Sequence, residues 1–180
     1  MRTFNEDLNA AVEYHGHLCA GQIIGVRMAR FALKLLDIPD AAEENDLIVY
    51  VEIDRCIADA VGVVTRCKLG RRRLKWMDYG KSAATFLHIV KNKAVRIASG
   101  KRFSPAENED LVDFYNKISD EELFNYAWVT VDIKPEELPG KPIVSVTCGQ
   151  CGEKVMDNRH IEKEGGVFCK SCAYDGYYRL

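Results

Sequence analysis

Two C-x2-C pairs, Cys148-Gly-Gln-Cys151 and Cys169-Lys-Ser-Cys172, stand near the end of the chain with 17 residues between them, and they constrain the fold more than any other feature. A C-x2-C knuckle brings two thiolates to one ion, and two knuckles complete the tetrahedral shell that Zn²⁺ favours. The spacing therefore predicts a structural zinc held by Cys148, Cys151, Cys169 and Cys172. Between the pairs, Val155-Met156 and Gly165-Gly-Val-Phe168 suit a β-hairpin, with His160 on its surface. A module of roughly 35 residues cannot bury enough apolar area to fold alone, so the metal is expected to supply much of its folding free energy. A closed four-thiolate shell has no open position for chemistry. The module should serve the fold or dock a protein partner. The alternative is free thiols or two disulfides. It fits poorly with seven cysteines, an odd number, in a chain whose first residues lack an apolar export signal.

Lys134-Pro-Glu-Glu-Leu-Pro-Gly-Lys-Pro142 packs three prolines and a glycine into nine residues, which marks a boundary. The expected organisation is a core domain over 1–134, a linker over 135–142 and a four-cysteine finger over 143–180. At 180 residues the chain has room for one ordinary core plus such an appendage. No apolar run approaches the roughly 18 residues that a bilayer span requires, and Met1-Arg-Thr-Phe-Asn-Glu-Asp7 leads into an acidic amphipathic segment without a secretory-type apolar stretch, so a cytoplasmic protein is expected. The formal net charge of −2 provides no long-range attraction to nucleic acid, which is not an expected partner.

In the core, Phe4, Leu8, Ala11 and Val12 recur at helical intervals over 4–14, and Ile23, Ile24, Arg27, Met28, Phe31 and Leu35 do so over 20–36. His15-Gly-His17-Leu-Cys19 forms the joint between these helices. A strand is predicted over Leu47–Asp54, a helix over Cys56–Thr65 and a strand over Leu74–Asp78. Ala83–Val90 and Ala94–Ala98 flank Lys91-Asn-Lys93 as a hairpin. Ser104-Pro105 reads as a helix start for a segment running to Ile118, Ser119-Asp-Glu-Glu122 as a capping box, and Trp128–Ile133 as a last core strand. These elements alternate without a βαβ rhythm or a phosphate-binding glycine loop. The fold class is α+β, with a mixed or antiparallel sheet and a small treble-clef or zinc-ribbon-like module.

His15, His17 and Cys19 precede a helix whose first-turn amides favour a thiolate. Residues 17 and 19 point the same way in an extended loop, so both can reach one soft divalent metal, and Cys56, at a strand-to-helix junction, is the best third ligand. A shared metal site at His17, Cys19 and Cys56 competes here with a reactive thiol and with a buried structural cluster. Asp59 follows Cys56 on one helix face, and Asp78-Tyr-Gly-Lys81 forms a polar group at a strand end. Asp59, Asp78 and Lys81 are candidates for acid/base work or for orienting ligands, set against an equal prospect of being solvated charges or caps. His88 reads as a satisfied core histidine and Cys67 as a small buried residue. Arg66, Lys68, Arg71-Arg-Arg73 and Lys75 suit an anionic ligand, although such runs are usually solvated.

His15-Gly-His-Leu-Cys-Ala-Gly-Gln-Ile-Ile-Gly-Val-Arg27, Asp54-Arg-Cys-Ile-Ala-Asp-Ala60 and Asp78-Tyr-Gly-Lys81 together resemble the formylmethanofuran dehydrogenase E-subunit family, over residues 10–135. The tail resembles the auxiliary treble-clef zinc finger that some members carry. The resemblance implies an α+β core that forms a homodimer, with a second divalent metal, expected to be Zn²⁺, in a cavity near the loop on His17, Cys19 and Cys56. The family usually has a proline where this chain has Ala20. After Asp-Ala it has a glutamine and a glycine-threonine pattern where this chain has Val63 and Arg66-Cys-Lys68, which implies a different substrate pocket. The family takes its name from a molybdenum- or tungsten-pterin enzyme of methanogenesis, and membership alone does not assign that reaction. Two functions follow. One is a metal-dependent enzyme or accessory subunit with an open coordination position. The other is a binding module whose finger and arginine loop dock a partner while both metals are structural.

Overall fold

Thr3 starts the first helix: its side chain accepts from the Glu6 amide while the Glu6 carboxylate reaches back to the Thr3 amide, a reciprocal cap. In the computed structural model, which describes residues 2–174 and 176–178, α1 spans Phe4–His15 and ends at Gly16, whose φ of 95° only glycine adopts without strain. His15 is thus the last helical residue of α1, not part of the joint. There follow α2 (Ala20–Leu35), β1 (Leu47–Val51), α3 (Cys56–Thr65), β2 (Leu74–Trp76), β3 (Ala83–His88), β4 (Lys93–Ser99), α4 (Leu111–Asn116), α5 (Asp120–Leu123) and β5 (Phe124–Val129). The chain divides into two compact units, Met1–Asp132 and Ile133–Leu180.

The first unit is α+β with a mixed sheet in the order β2-β1-β3-β4-β5, in which only the β1–β2 pair is parallel. Alternate residues of the central strands, Val49, Val51, Ala84, Phe86, Val95 and Ile97, enter one core with Ile23, Val26 and Val61 of the helices. Two glycines set the spacing between α2 and α3. A methyl group on Gly25 would lie 2.7 Å from Ala60 Cβ and 2.9 Å from the Ile57 carbonyl oxygen, so only glycine permits this helix contact. Arg27 pins the far side of α2, donating to the carbonyls of Tyr115 and Ile118 at 2.6 Å each and to Asp120.

Three expectations need correction. The segment after Ser104-Pro105 is irregular up to Asp110. Its helix, α4, begins only at Leu111 because Asp110 Oδ1 accepts from the amides of Val112 and Asp113 at 2.9 Å each, while Asn108 is left-handed at φ 68°. The last strand is β5, which starts at Phe124 directly after α5. It pairs only with β4, so Asn125–Trp128 are exposed rather than core. β2 stops at Trp76, short of Asp78.

Among the described residues the second unit contains a 3-10 turn (Pro135–Glu137), two hairpins, β6 (Ser145–Thr147) with β7 (Lys154–Met156) and β8 (Ile161–Lys163) with β9 (Gly166–Phe168), and then the short helix α6 (Lys170–Ala173). Val155-Met156 does not pair with Gly165–Phe168 as expected. Glu164 and Gly165, both left-handed at φ 52° and 75°, make a two-residue turn that closes β9 onto β8. No helix among the described residues is long and apolar enough to cross a membrane.

Candidate metal centre

α1, α2 and α3 deliver their chemistry at one corner of the first unit. His15 ends α1, the left-handed Gly16 reverses the chain, and Cys19 is the N-cap of α2 with extended backbone and no side-chain capping bond, so its thiol remains available. One donor atom from each of His15, His17 and Cys19 lies within 4.8 Å of the others, and the two imidazole rings are 4.7 Å apart at 40°. Cys56 is the first residue of α3. A methyl group on Gly21 would meet its Cβ at 2.8 Å, its Sγ at 3.6 Å and Cys19 Sγ at 3.7 Å, so both thiols overhang the first turn of α2. Burial first, and then the adjacent Cys19 thiol, push the Cys56 thiol up. Gln22, fully buried, donates from Nε2 to the Cys56 carbonyl at 2.7 Å and holds α3 in place.

The His15 ring is held at one nitrogen and left open at the other. Nδ1 donates to Asp59 Oδ2 at 2.8 Å, which leaves the lone pair on Nε2, and Nε2 is buried without a hydrogen-bond partner. A buried polar atom with no partner is costly. A carboxylate on one imidazole nitrogen with the other nitrogen free is how proteins orient a metal-binding histidine and make it more basic. The donor set, two imidazoles and one or two thiolates, suits a soft or borderline divalent ion.

Of the residues singled out in the sequence, His17, Cys19, Cys56 and Asp59 come together at this corner. Asp78 and Lys81 lie in the exposed loop between β2 and β3, where Lys81 Nζ sits 5.7 Å from the centre of the Tyr79 ring and neither residue joins the histidine–cysteine group. The sequence puts His15 in the cluster but gives no local sign that it is a metal-ligand candidate, because what singles it out is contact with a carboxylate 44 positions away. His88 is buried and satisfied, accepting from the Lys91 amide at 3.3 Å with Glu44 3.4 Å from its other nitrogen. Cys67 is buried and donates to the Leu47 carbonyl at 3.5 Å. In the basic loop, Arg73 is occupied by the Glu44 carbonyl and Asn45.

In the second unit the thiols of Cys148, Cys151, Cys169 and Cys172 all lie within 4.8 Å of one another. Amides of Cys151 and Cys169 point at Cys148 and lower its thiol to about 6, while the hydrogen bond with Cys169 heads the causes that push Cys172 up to about 12. A thiolate-favouring amide cage is what a zinc knuckle provides. His160 is not a surface residue as expected: it is half-buried, its Nδ1 is enclosed, and Nε2 lies 3.6 Å from Glu162.

A family model described as "FmdE, Molybdenum formylmethanofuran dehydrogenase operon" matches residues 14–127, the stretch that holds the cluster and nearly all of the sheet. A curated protein of Archaeoglobus fulgidus, named "Probable S-adenosyl-L-methionine-binding protein", is 29% identical over 198 aligned positions, which cover 94% of this chain and 53% of that protein. The chain therefore spans about half the length of the curated relative it matches. Among solved structures, a tungsten formylmethanofuran dehydrogenase FmdE-like protein from Syntrophus aciditrophicus aligns with a TM-score of 0.63 at 22% identity, covering 99% of this chain and 96% of that one. At that identity the likeness shows a shared fold.

Proposed function

Because the chain belongs to the FmdE family, we propose that its N-terminal cluster is a mononuclear metal centre serving a small ligand, and that its four C-terminal cysteines hold a structural zinc. His15 Nε2, His17 and Cys19 supply three donors to the first centre, and Cys56 supplies an exchangeable fourth. The ligand set read from the sequence, His17, Cys19 and Cys56, is thereby extended by His15. The observation that carries this reading is the buried, unpartnered Nε2 of a histidine whose other nitrogen is held by Asp59. A divalent ion bound there supplies Lewis-acid chemistry toward an oxygen of the ligand. The protein's own part is to fix the ring through Asp59, to hold the two thiols over Gly21, and to keep the first turn of α3 in register through Gln22. On this reading the protein is a metal-dependent enzyme or an accessory subunit of a molybdenum or tungsten oxidoreductase, working as a homodimer. The name of the Archaeoglobus relative puts S-adenosyl-L-methionine among the ligands to try.

A second reading is a binding module with two structural metals. The presence of four possible donors at the N-terminal site favours it, since a shell closed by Cys56 leaves no position for a ligand. Metal content separates the possibilities. Zinc-reconstituted protein should hold about two ions per chain and a His15→Ala, Cys19→Ser variant about one. If both hold one ion, the N-terminal centre is not a metal site. If the parent holds two and cobalt substituted at the N-terminal centre has a spectrum that no added small ligand alters, the structural reading replaces the enzymatic one.

A further inference from the structure

Beside the metal corner, the first unit contains a cavity of about 570 Å³, within the range of small-molecule sites. Ala20 and Ile57 form part of its wall, and these residues directly follow Cys19 and Cys56 in the chain. Ile24 and Phe103 extend the apolar lining. The irregular segment that replaces the expected helix after Ser104 supplies one side, and the Phe103 carbonyl accepts from the Tyr115 hydroxyl at 3.4 Å, which ties that side to α4.

Polar groups enter this lining at two places. Ser99 Oγ is buried and has no hydrogen-bond partner, although Ser99 lines the cavity. Lys101 and Arg102 are exposed residues of the same lining, and neither has an ion-pair partner among the described residues. Glu122, whose carboxyl Lys101 helps to lower, is held by the Ser119 hydroxyl and amide in a capping box. Two cations at the mouth, an unsatisfied hydroxyl in the wall and an apolar interior specify a ligand with an acid group at one end and a hydrocarbon or aromatic body.

We propose that this cavity binds a small organic anion, its acid group held by Lys101 and Arg102 and its apolar body lying against Ile24, Ile57 and Phe103. That the ligand so held is the one presented to the metal rests on the metal-centre reading; its binding does not. The arrangement gives a role to Lys101 and Arg102, which follow β4 after Gly100 and line the cavity together with Phe103, Ser104 and Pro105.

The test uses the full chain loaded with cobalt and two independent readouts. The fluorescence of 8-anilinonaphthalene-1-sulfonate, an aromatic body carrying one anion, reports the cavity. The visible absorption of the N-terminal cobalt, taken as the difference between the parent and a His17→Ala variant, reports the metal. The probe should bind at one site per chain and be displaced by octanoate but not by octanol. Its affinity should fall at least about tenfold in Lys101→Glu, Arg102→Glu protein and vanish in Ile24→Trp protein, whose indole fills the space. Circular dichroism confirms that each variant is folded. Binding at several sites, displacement by octanol as readily as by octanoate, or affinity unchanged in both variants overturns the proposal. Cobalt absorption without single-site probe binding overturns this proposal and leaves the metal centre standing. Probe binding without the cobalt difference spectrum overturns the metal centre and leaves the anion site standing. A shift of the cobalt bands on adding octanoate joins the two, and bands that stay fixed while octanoate displaces the probe overturn the presentation of this ligand to the metal.

Discussion

His15 Nδ1 lies 2.8 Å from Asp59 Oδ2, and this one bond joins the last residue of α1 to the first turn of α3 while leaving the opposite ring nitrogen free in a buried corner. The bond fixes the tautomer as well as the ring orientation, because a carboxylate only accepts.

Replacing Asp59 by asparagine keeps a hydrogen-bonding group near Nδ1 but removes the charge that strengthens the imidazole as a donor. Metal affinity at the N-terminal centre should fall by about 10- to 100-fold, read by competition with a chromophoric chelator. Affinity at the four-cysteine site should not change. Equal losses at both sites, or none at either, would show that Asp59 does not act through His15.

The two glycines of α2 make a sharp contrast with a third. Gly21→Ala and Gly25→Ala would each push a methyl group to within 2.8 Å or less of a neighbouring side chain, and each should cost about 1–3 kcal/mol by overpacking. Gly70 has nothing within 4 Å of its would-be methyl and no positive φ, so Gly70→Ala should be neutral or slightly stabilising. Urea unfolding of the three variants checks the order. Gly21→Ala should also weaken metal at the first centre, since its methyl is aimed at Cys56.

Cys67 provides a pH prediction. Burial raises its thiol above the ordinary value, so the folded state holds a proton that the unfolded chain gives up from about pH 8.5 upward. The stability it contributes is therefore complete below that pH and is lost as pH rises toward the raised native value. Cys67→Ala should flatten the alkaline decline in stability. In the native protein this thiol should be the last to react with a disulfide reagent at about pH 8, becoming available only on unfolding. Early labelling of Cys67 would contradict its burial.

Chelation should act unequally on the two units. Among the described residues of Ile133–Leu180 only Cys148 and Asp157 are buried, too little apolar burial to hold four short strands. Removing metal should abolish amide protection in β6–β9 while the protected amides of β1, β3 and β4 persist, as read by hydrogen exchange. Retention of β6–β9 protection in metal-free protein would mean that the thiols do not staple this unit.

Much of this was legible in the sequence because the signals are local. The C-x2-C pairs, the β-branched run of β1, the flanks of the β3–β4 hairpin and the Ser119 capping box all lie within a few residues of what they determine. Where the reading failed, a competing local signal or a distant partner decided. Ser104-Pro105 is a proper helix start, but the Asp110 carboxylate captured the amides of Val112 and Asp113 further along the chain and set the start there. Trp128-Val129 has strand composition, yet its place at the sheet edge is a matter of topology that no residue in it specifies. His15 is the clearest case. Its sequence neighbours make it look like a partner of His17, and only the fold brings it to Asp59.

A change at Gly21 or Gly25 would move the histidine and cysteine positions without altering any of them. The histidines and cysteines stand on elements whose separation is set by missing side chains, so the geometry of the cluster depends on positions that bear no chemistry and would draw no notice in a search for reactive groups. Transplanting the histidines and cysteines onto another helix pair would copy the teeth without the hinge. Any redesign of the centre should begin with the two glycines and add the ligands afterwards.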